Sequence, residues 1–480
     1  MSTPRTAFSI RDVTQRDFCI GCGGCSIATE GSIPITLSRD GQYRAGDLSE
    51  HAEAVSGVCP FSDDSPTEDD LAAPRYAEHC SYTTAIGYHR ALYAGRVLSD
   101  DYRLGSSSGG LVSFVAGALL SSGAVDGIIH VKRTSSEEAD QPLFAFGIST
   151  TLEELRAHRK SVYYPVEFSQ ALASAQRAGG RYVFIGIPCH VRALRLLQQR
   201  DPELSELVPY TIGLVCGHMK TTGFAESLGW QLGIEPANLR AVDFRVKDRV
   251  GPANRYATSA TDRAGRTRTK KTFEMLGTNW GHGFFQPKAC NVCDDIFAET
   301  ADIAFGDAWL PRYASDPLGH NVVVVRNPEL HELLLRAEQA DEVFLEELSE
   351  EDTLKTQSGN VRHRRIGVKV RLADDIAAGL PVPHKRVEPS YEDADDKRVA
   401  LIRRRRALSE LSISSFREAR EKNSWRHFLA AVGPSVKAYD AQGAQSRLAR
   451  ILAPLPLSMQ LRLRTVLMGT RTLISRLRRK

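Results

Sequence analysis

The chain has 480 residues, 42% of them hydrophobic and 25% charged, with a formal net charge of +4, values ordinary for a globular protein and too many residues for one core, so about three domains are expected. No run of 18 or more uncharged apolar residues occurs and no charged-then-apolar leader opens the chain, which argues against a membrane-spanning helix and against secretion. Nine cysteines without an export signal suit a reducing compartment, where thiolates bind metals more often than they pair, and a cytoplasmic location is expected.

The first element, residues 1–72, is built around Cys19, Cys22 and Cys25 in the run FCIGCGGC, with Cys59-Pro60 34 residues further on. Three thiolates at successive x2 spacings and a remote Cys-Pro match the bacterial iron–sulfur pattern, so a ferredoxin-like module with one 4Fe-4S cluster is expected. Thr29 stands where a local fourth cysteine would be, and Val55, Ala52 and Ser49 stand where a second triplet would precede Cys59, so this module holds one cluster and not two. Zinc is the metal alternative for such thiolates. The acidic, turn-rich stretch 62–70 reads as a linker.

From about 80 to 345, β-branched runs alternate with amphipathic helical runs, the pattern of an α/β layer structure. Strands are expected at 124–131, 182–187, 210–215, 302–306 and 321–326, and helices at 110–121, 152–159, 190–199, 223–232 and 328–340. The loop Gly105-Ser106-Ser107-Ser108-Gly109-Gly110 precedes one of these helices and offers amides to a phosphate, although Ser108 could equally be an N-cap. It matches neither a P-loop nor the dinucleotide fingerprint. Cys189 and Cys216 lie just past strand ends, where parallel sheets open onto a ligand crevice. With Cys290 and Cys293 they make four thiols, the number a second 4Fe-4S cluster needs; zinc, or a reactive Cys189 beside His190, are the alternatives. Cys80 is left over.

The segment 346–480 is basic and mainly helical in pattern, with an arginine run at Arg403, Arg404, Arg405 and Arg406. Such runs contact nucleic acid, anionic lipid or an acidic partner; few aromatic residues interleave the basic ones, so nucleic acid is the weakest of these. Leu463, Val466, Leu467, Ile474 and Leu477 recur at helical period, either as a helix packed on protein or as a peripheral membrane contact.

Taken together, the CIGCGGC run with Cys59-Pro60, GSSSGG, IGIPCHVRAL, GLVCG and CNVCDD leading to ADIAFGDAW resemble, in the same order, the beta subunits of coenzyme F-420 hydrogenases and dehydrogenases, which include the 7-hydroxymethyl chlorophyll a reductases. The resemblance covers residues 15–345. It implies an α/β (α+β overall) architecture: a ferredoxin-like 4Fe-4S module, a central flavin-binding domain in two parts, 80–165 and 166–345, and a basic helical tail. It also implies an oxidoreductase with FAD and 4Fe-4S clusters, exchanging hydride at the flavin, with coenzyme F-420 as a candidate substrate, and single electrons with a ferredoxin or other redox partner. Carried over, Cys19, Cys22, Cys25 and Cys59 bind one cluster, and Cys189, Cys216, Cys290 and Cys293 the other. Ser106, Ser107, Ser108, Gly109 and Gly110 cradle FAD phosphates, Lys160, Ser161 and Tyr163 flank the flavin, and Asp302 and Asp307 orient the inner site. The alternatives are a ferredoxin-dependent reductase of a specialised metabolite or glycan precursor, or a non-catalytic electron-transfer subunit docked on a catalytic partner subunit.

Overall fold

The computed structural model describes residues 7–134 and 141–443, so the amphipathic pattern expected at Leu463–Leu477 lies outside the described residues. An eight-stranded mixed sheet organises the molecule. Its strands are β1 (Ala91–Val97), β2 (Gly127–Arg133), β3 (Phe144–Ser149), β4 (Tyr182–Gly186), β5 (Tyr210–Leu214), β6 (Ile303–Asp307), β7 (Asn321–Val325) and β8 (Val343–Glu347), in the spatial order β8-β1-β7-β6-β5-β4-β2-β3. Strands β2, β4, β5 and β6 run parallel to their neighbours in that row, whereas β3, β7, β1 and β8 pair antiparallel. The fold is mixed α/β.

Burial explains the strand order. YVFIG in β4 and NVVVV in β7 are buried at every position, as strands covered on both faces must be. The VFLEE of β8 alternates in and out and takes an edge. Two apolar cores flank the sheet, one holding Leu111, Val115 and Leu119 of α2 (Leu111–Ser121), the other Val191, Leu194 and Leu197 of α3 (Pro188–Arg200). A separate antiparallel sheet, Leu239–Val246, Ala257–Asp262 and Thr267–Lys271, stands beside the crevice.

The N-terminal segment joins this body through α1 (Gly24–Ala28), whose Gly24 lies against Ala193 of α3. Its acidic stretch is only partly a linker: Thr67 caps a helix over Glu68–Tyr76, and Glu68 is buried in an ion pair with Arg192 at 2.8 Å. The C-terminal segment forms α4 (Gly367–Ala377), α5 (Asp396–Glu421) and α6 (Trp425–Gly443). Phe416, Trp425 and Phe428 dock these helices onto Trp230 and Phe285 of the body. All four side chains of the arginine run bond within the chain, Arg405 and Arg406 half-buried and Arg403 and Arg404 exposed. Arg403 meets Asp374, Arg404 meets Gln442, Arg405 meets Gln286 and Arg406 meets Asp375.

Candidate functional site

The parallel strands β4, β5 and β6 end at one edge of the sheet, and the carboxyl end of β1 lies there too, since Gly95 faces Asn321 and Asn321 faces Asp307 across the ladder. A cavity of about 620 Å³ opens at that edge, within the size range of cofactor sites. Of the eight residues expected to hold FAD, Ser106, Ser107, Ser108, Gly110, Lys160, Ser161 and Tyr163 line it. Gly109 lies behind them, packed so closely that a Cβ would sit 2.7 Å from Gly95 O and 2.8 Å from Asn321 Oδ1.

The serine loop is held from several sides. Ser107 Oγ accepts from the Ser161 amide at 2.6 Å, Ser106 Oγ donates to Tyr102 O at 3.0 Å and Ser108 Oγ donates to His320 O at 2.8 Å. Ser108 is therefore no N-cap. That position belongs to Gly110, whose φ of +92° is open to glycine and starts the 11-residue α2 with no side-chain cap. Lys247 lies beneath the loop, its Nζ donating to Arg103 O at 2.8 Å, Ser108 O at 2.6 Å and Leu318 O at 2.6 Å. Arg159 approaches Gly105 where any side chain would overlap it, and its Nε has no partner.

Arg245 and Asp307 form a bidentate pair at 2.8 and 3.0 Å on the cavity wall, with the guanidinium over the Tyr256 and Trp309 rings. Asp307 is thus a salt-bridge partner. Asp302 does not orient the inner site. It precedes β6 at the opposite end of the strand, where it accepts from Arg195 Nη2 at 2.8 Å and from the Thr211 amide at 2.7 Å. Lys160 is likewise paired, to Asp243 at 2.8 Å.

Cys216 lines the cavity, and the thiols of Cys189, Cys216, Cys290 and Cys293 gather behind it. Burial, then the like charge of Cys216, Cys293 and Cys290, holds Cys189 well above the usual thiol pKa; Cys216 is pushed up to about 12 by burial. Cys22, Cys25 and Cys59 behave likewise in the N-terminal set: burial first, then Cys25, raises Cys22, while burial leads for Cys25 and Cys59, each pushed up to about 12. Cys19 completes that set, accepting from the Gly21 amide at 3.4 Å and the Ala45 amide at 3.5 Å. Gly24, beside Cys22 Sγ, packs on Ala193 of α3, one turn after Cys189, which brings the two sets into one neighbourhood. Among the described residues no group of three or more His, Cys, Asp or Glu is gathered as one metal ion would require. Each set is a neighbourhood of thiols rather than a closed single-ion cage, and a cluster reaches its thiolates from several iron atoms.

The residues that sequence reasoning missed are cations. Arg364, 2% exposed, donates to Gly217 O at 2.8 Å and Cys293 O at 3.2 Å, and its Nη2 lies 3.7 Å from Cys216 Sγ. Burial alone would lower its pKa; facing Cys293, Cys216, Cys290 and Cys189 raises it instead. Arg371 donates to Asn291 O, Arg405 to Gln286 Oε1, and Lys220 to Phe284 O. Three buried cations, Arg364, Arg371 and Lys220, and the half-buried Arg405, bonded to neutral oxygens, are costly unless an anion sits among them. Four thiolates around a cubane carry a net negative charge, so the donor set and the cations fit such a group. His190 and His218 also line the cavity, with burial depressing both imidazoles, His190 to about 4. No sequence signal marks Arg364, Arg371, Lys220 or His218, because each works through contacts distant along the chain.

Cys80 stays outside both sets, donating to Arg326 O at 3.4 Å. Among the described residues no helix is long and apolar enough to cross a membrane.

A family model described as Coenzyme F420 hydrogenase/dehydrogenase, beta subunit N-term matches residues 92–173, and its companion model, for the C terminus of the same beta subunit, matches residues 179–351, together just over half of the chain. A curated relative, the F subunit of the F(420)H(2) dehydrogenase of Methanosarcina mazei, is 25% identical over 218 residues, which are 43% of this chain and 55% of the relative. The chain thus spans about half the length of the curated relative it matches. A chain of the F420-reducing NiFe hydrogenase complex from Methanosarcina barkeri, solved with xenon, is 15% identical with a TM-score of 0.47, covering 65% of this chain and 99% of that one. At that score the likeness carries no argument.

Proposed function

The chain belongs to the coenzyme F-420 hydrogenase/dehydrogenase beta subunit family, and from that membership we propose that it is an FAD and iron–sulfur oxidoreductase of the reducing cytoplasm. It exchanges a hydride equivalent with an organic substrate, for which coenzyme F-420 is the family's candidate, and single electrons with a ferredoxin or another redox protein. The observation that carries this reading is a continuous line of groups. The cavity meets Cys216, Cys216 belongs to the inner thiol set, and α3, which carries Cys189 of that set, packs through Ala193 on Gly24 beside Cys22 of the outer one.

FAD, when bound, supplies the conversion between a two-electron and two one-electron transfers. The protein's own residues then have separable tasks. Amides at the start of α2, with the hydroxyl of Ser107, which accepts from the Ser161 amide and keeps its own proton to donate, line the cavity and suit a pyrophosphate. Lys247 fixes the carbonyls of the same loop from below. Tyr163, stacked edge-on against Trp280 and Phe244, forms an apolar wall that keeps water from the reacting atoms. His218 accepts from Arg405 Nη2 through Nδ1 at 3.3 Å, so its neutral ring carries the proton on Nε2, which has no protein partner and is free to donate to a bound group. A 4Fe-4S cluster at each thiol set supplies one-electron steps between the cavity and the surface.

The test is the iron, sulfide and flavin content of anaerobically purified protein. About eight irons and one flavin per chain are expected from two cubanes. A colourless, iron-free protein after reconstitution would refute the reading.

A further inference from the structure

The cations at the two thiol sets differ in one respect: whether a carboxylate already neutralises them. At the outer set, Arg192 bonds Pro60 O but is paired with Glu68 at 2.8 Å, and Arg44 is paired with Asp17 at 2.5 Å. At the inner set, Arg364, Arg371, Arg405 and Lys220 bond carbonyl or amide oxygens and ring nitrogens, and none forms an ion pair with a carboxylate among the described residues. The acids nearest Cys293 are turned to other groups. Asp294 lies 3.4 Å from Arg386, and Asp295 accepts from the Glu299 amide at 3.1 Å. Three of the four cations, Arg364, Arg371 and Arg405, come from the segment beyond the family-matched residues, which end at 351.

Reducing a cluster adds one negative charge. A buried, unpaired cation attracts that charge strongly in a low dielectric, whereas a cation already facing a carboxylate acts only as a dipole. Hydrogen bonds and charge near the sulfurs are among the terms that set cluster potentials. On these grounds we propose that Arg364, Arg371 and Arg405 hold the inner cluster at a higher reduction potential than the outer one, so that electrons run inward toward the cavity. The inference rests on the two-cluster reading above. Electrons balance as follows: two molecules of a one-electron carrier protein are each oxidised by one electron at the outer set. Two electrons then pass inward, and with two protons from solvent they reduce one two-electron acceptor in the cavity.

The test is a redox titration of the full-length holoprotein, followed by electron paramagnetic resonance, after iron and sulfide have been counted. The outer signal is assigned by its loss in Cys25→Ala. In the wild type the inner signal should titrate at the higher potential. Arg364→Gln should shift the outer-to-inner electron equilibrium about tenfold outward, about 59 mV for a one-electron couple, without moving the outer signal. Arg364→Lys keeps the charge and should restore most of the shift, which a purely structural role would not do. Where Arg364→Gln loses inner iron, Arg405→Gln is read in the same way, with a smaller shift in the same direction. An inner signal at or below the outer one, or an Arg364→Gln shift shared equally by both signals, overturns the proposal. A wild-type protein short of about eight irons defeats the two-cluster reading itself, and this inference with it.

Discussion

Replacing Arg245 by leucine removes one half of a buried pair whose other half, Asp307, then faces the cavity alone. Arg245 is 3% exposed and bonds both carboxylate oxygens, at 2.8 and 3.0 Å. Losing one partner of such a pair costs about 3–5 kcal/mol, because the remaining charge stays desolvated. The Asp307 side chain is 20% exposed, so water reaches it in part and the lower end, about 3 kcal/mol, is expected. Arg245→Leu with Asp307→Leu removes both charges, and the double variant should be more stable than Arg245→Leu alone, with a coupling of about 2 kcal/mol. Urea denaturation of the anaerobic holoprotein, followed by far-UV circular dichroism on all four proteins of the cycle, measures these differences. An Arg245→Leu variant within about 1 kcal/mol of wild type, or a double variant no more stable than the single, would refute the reasoning.

Single thiol substitutions should remove iron by set: Cys216→Ser and Cys25→Ser are each expected to lose about four irons of eight, read by iron assay, and loss of all iron from either would mean that the sets do not assemble independently. Gly109→Ala places a methyl group against the backbones of β1 and β7, which cannot give way, and overpacking of about 1–3 kcal/mol should lower flavin content and thermal midpoint together. Acid should destabilise the fold below neutrality. Burial, then His158 and Lys132, lowers His130 to about 3, and burial lowers His190 to about 4. The unfolded chain binds protons there near the ordinary histidine pKa of 6.5, so stability is full above about pH 6.5 and falls as pH drops toward 4, by up to about 1.4 kcal/mol per pH unit for each histidine. His130→Gln should shallow that slope in denaturation curves taken at several pH values; an unchanged slope would show that His130 is not held neutral.

How far the chain could be read from its residues depended on range. The runs at 182–187, 210–215 and 321–326 are continuous and β-branched, and each folds as a fully or largely buried strand within a residue or two of its expected bounds. The helix expected at 190–199 begins at Pro188, since proline at a first helical position has no amide to lose. Strand Thr267–Lys271 was invisible because TRTKK carries no apolar alternation; only its ladder with Ala257–Thr261 makes it a strand. RHRRI at Arg362–Ile366 carries no run of apolar residues, yet it forms a π-helical turn that buries His363 and sets Arg364 3.7 Å from Cys216 Sγ. The serine loop and the lysine, serine and tyrosine after it, read from sequence as flavin-binding, line one cavity, Gly109 excepted. The cations around the inner set were not legible, because the partners that draw Arg364 inward are about 70 and 150 residues away along the chain.

Helix α3 spans the ground between the two thiol sets. Cys189 stands in its first turn, and one turn on Arg192 grips Pro60 O and Glu68 of the N-terminal segment. Electron tunnelling falls exponentially with distance, so a donor and acceptor joined by slack chain would exchange electrons at a rate that wanders with every fluctuation. A helix held to the N-terminal segment at Arg192, and carrying Cys189 one turn before it, makes the gap a fixed dimension of the fold. On the two-cluster reading proposed above, the rate of internal electron transfer is a property of α3, as much as of the centres it separates.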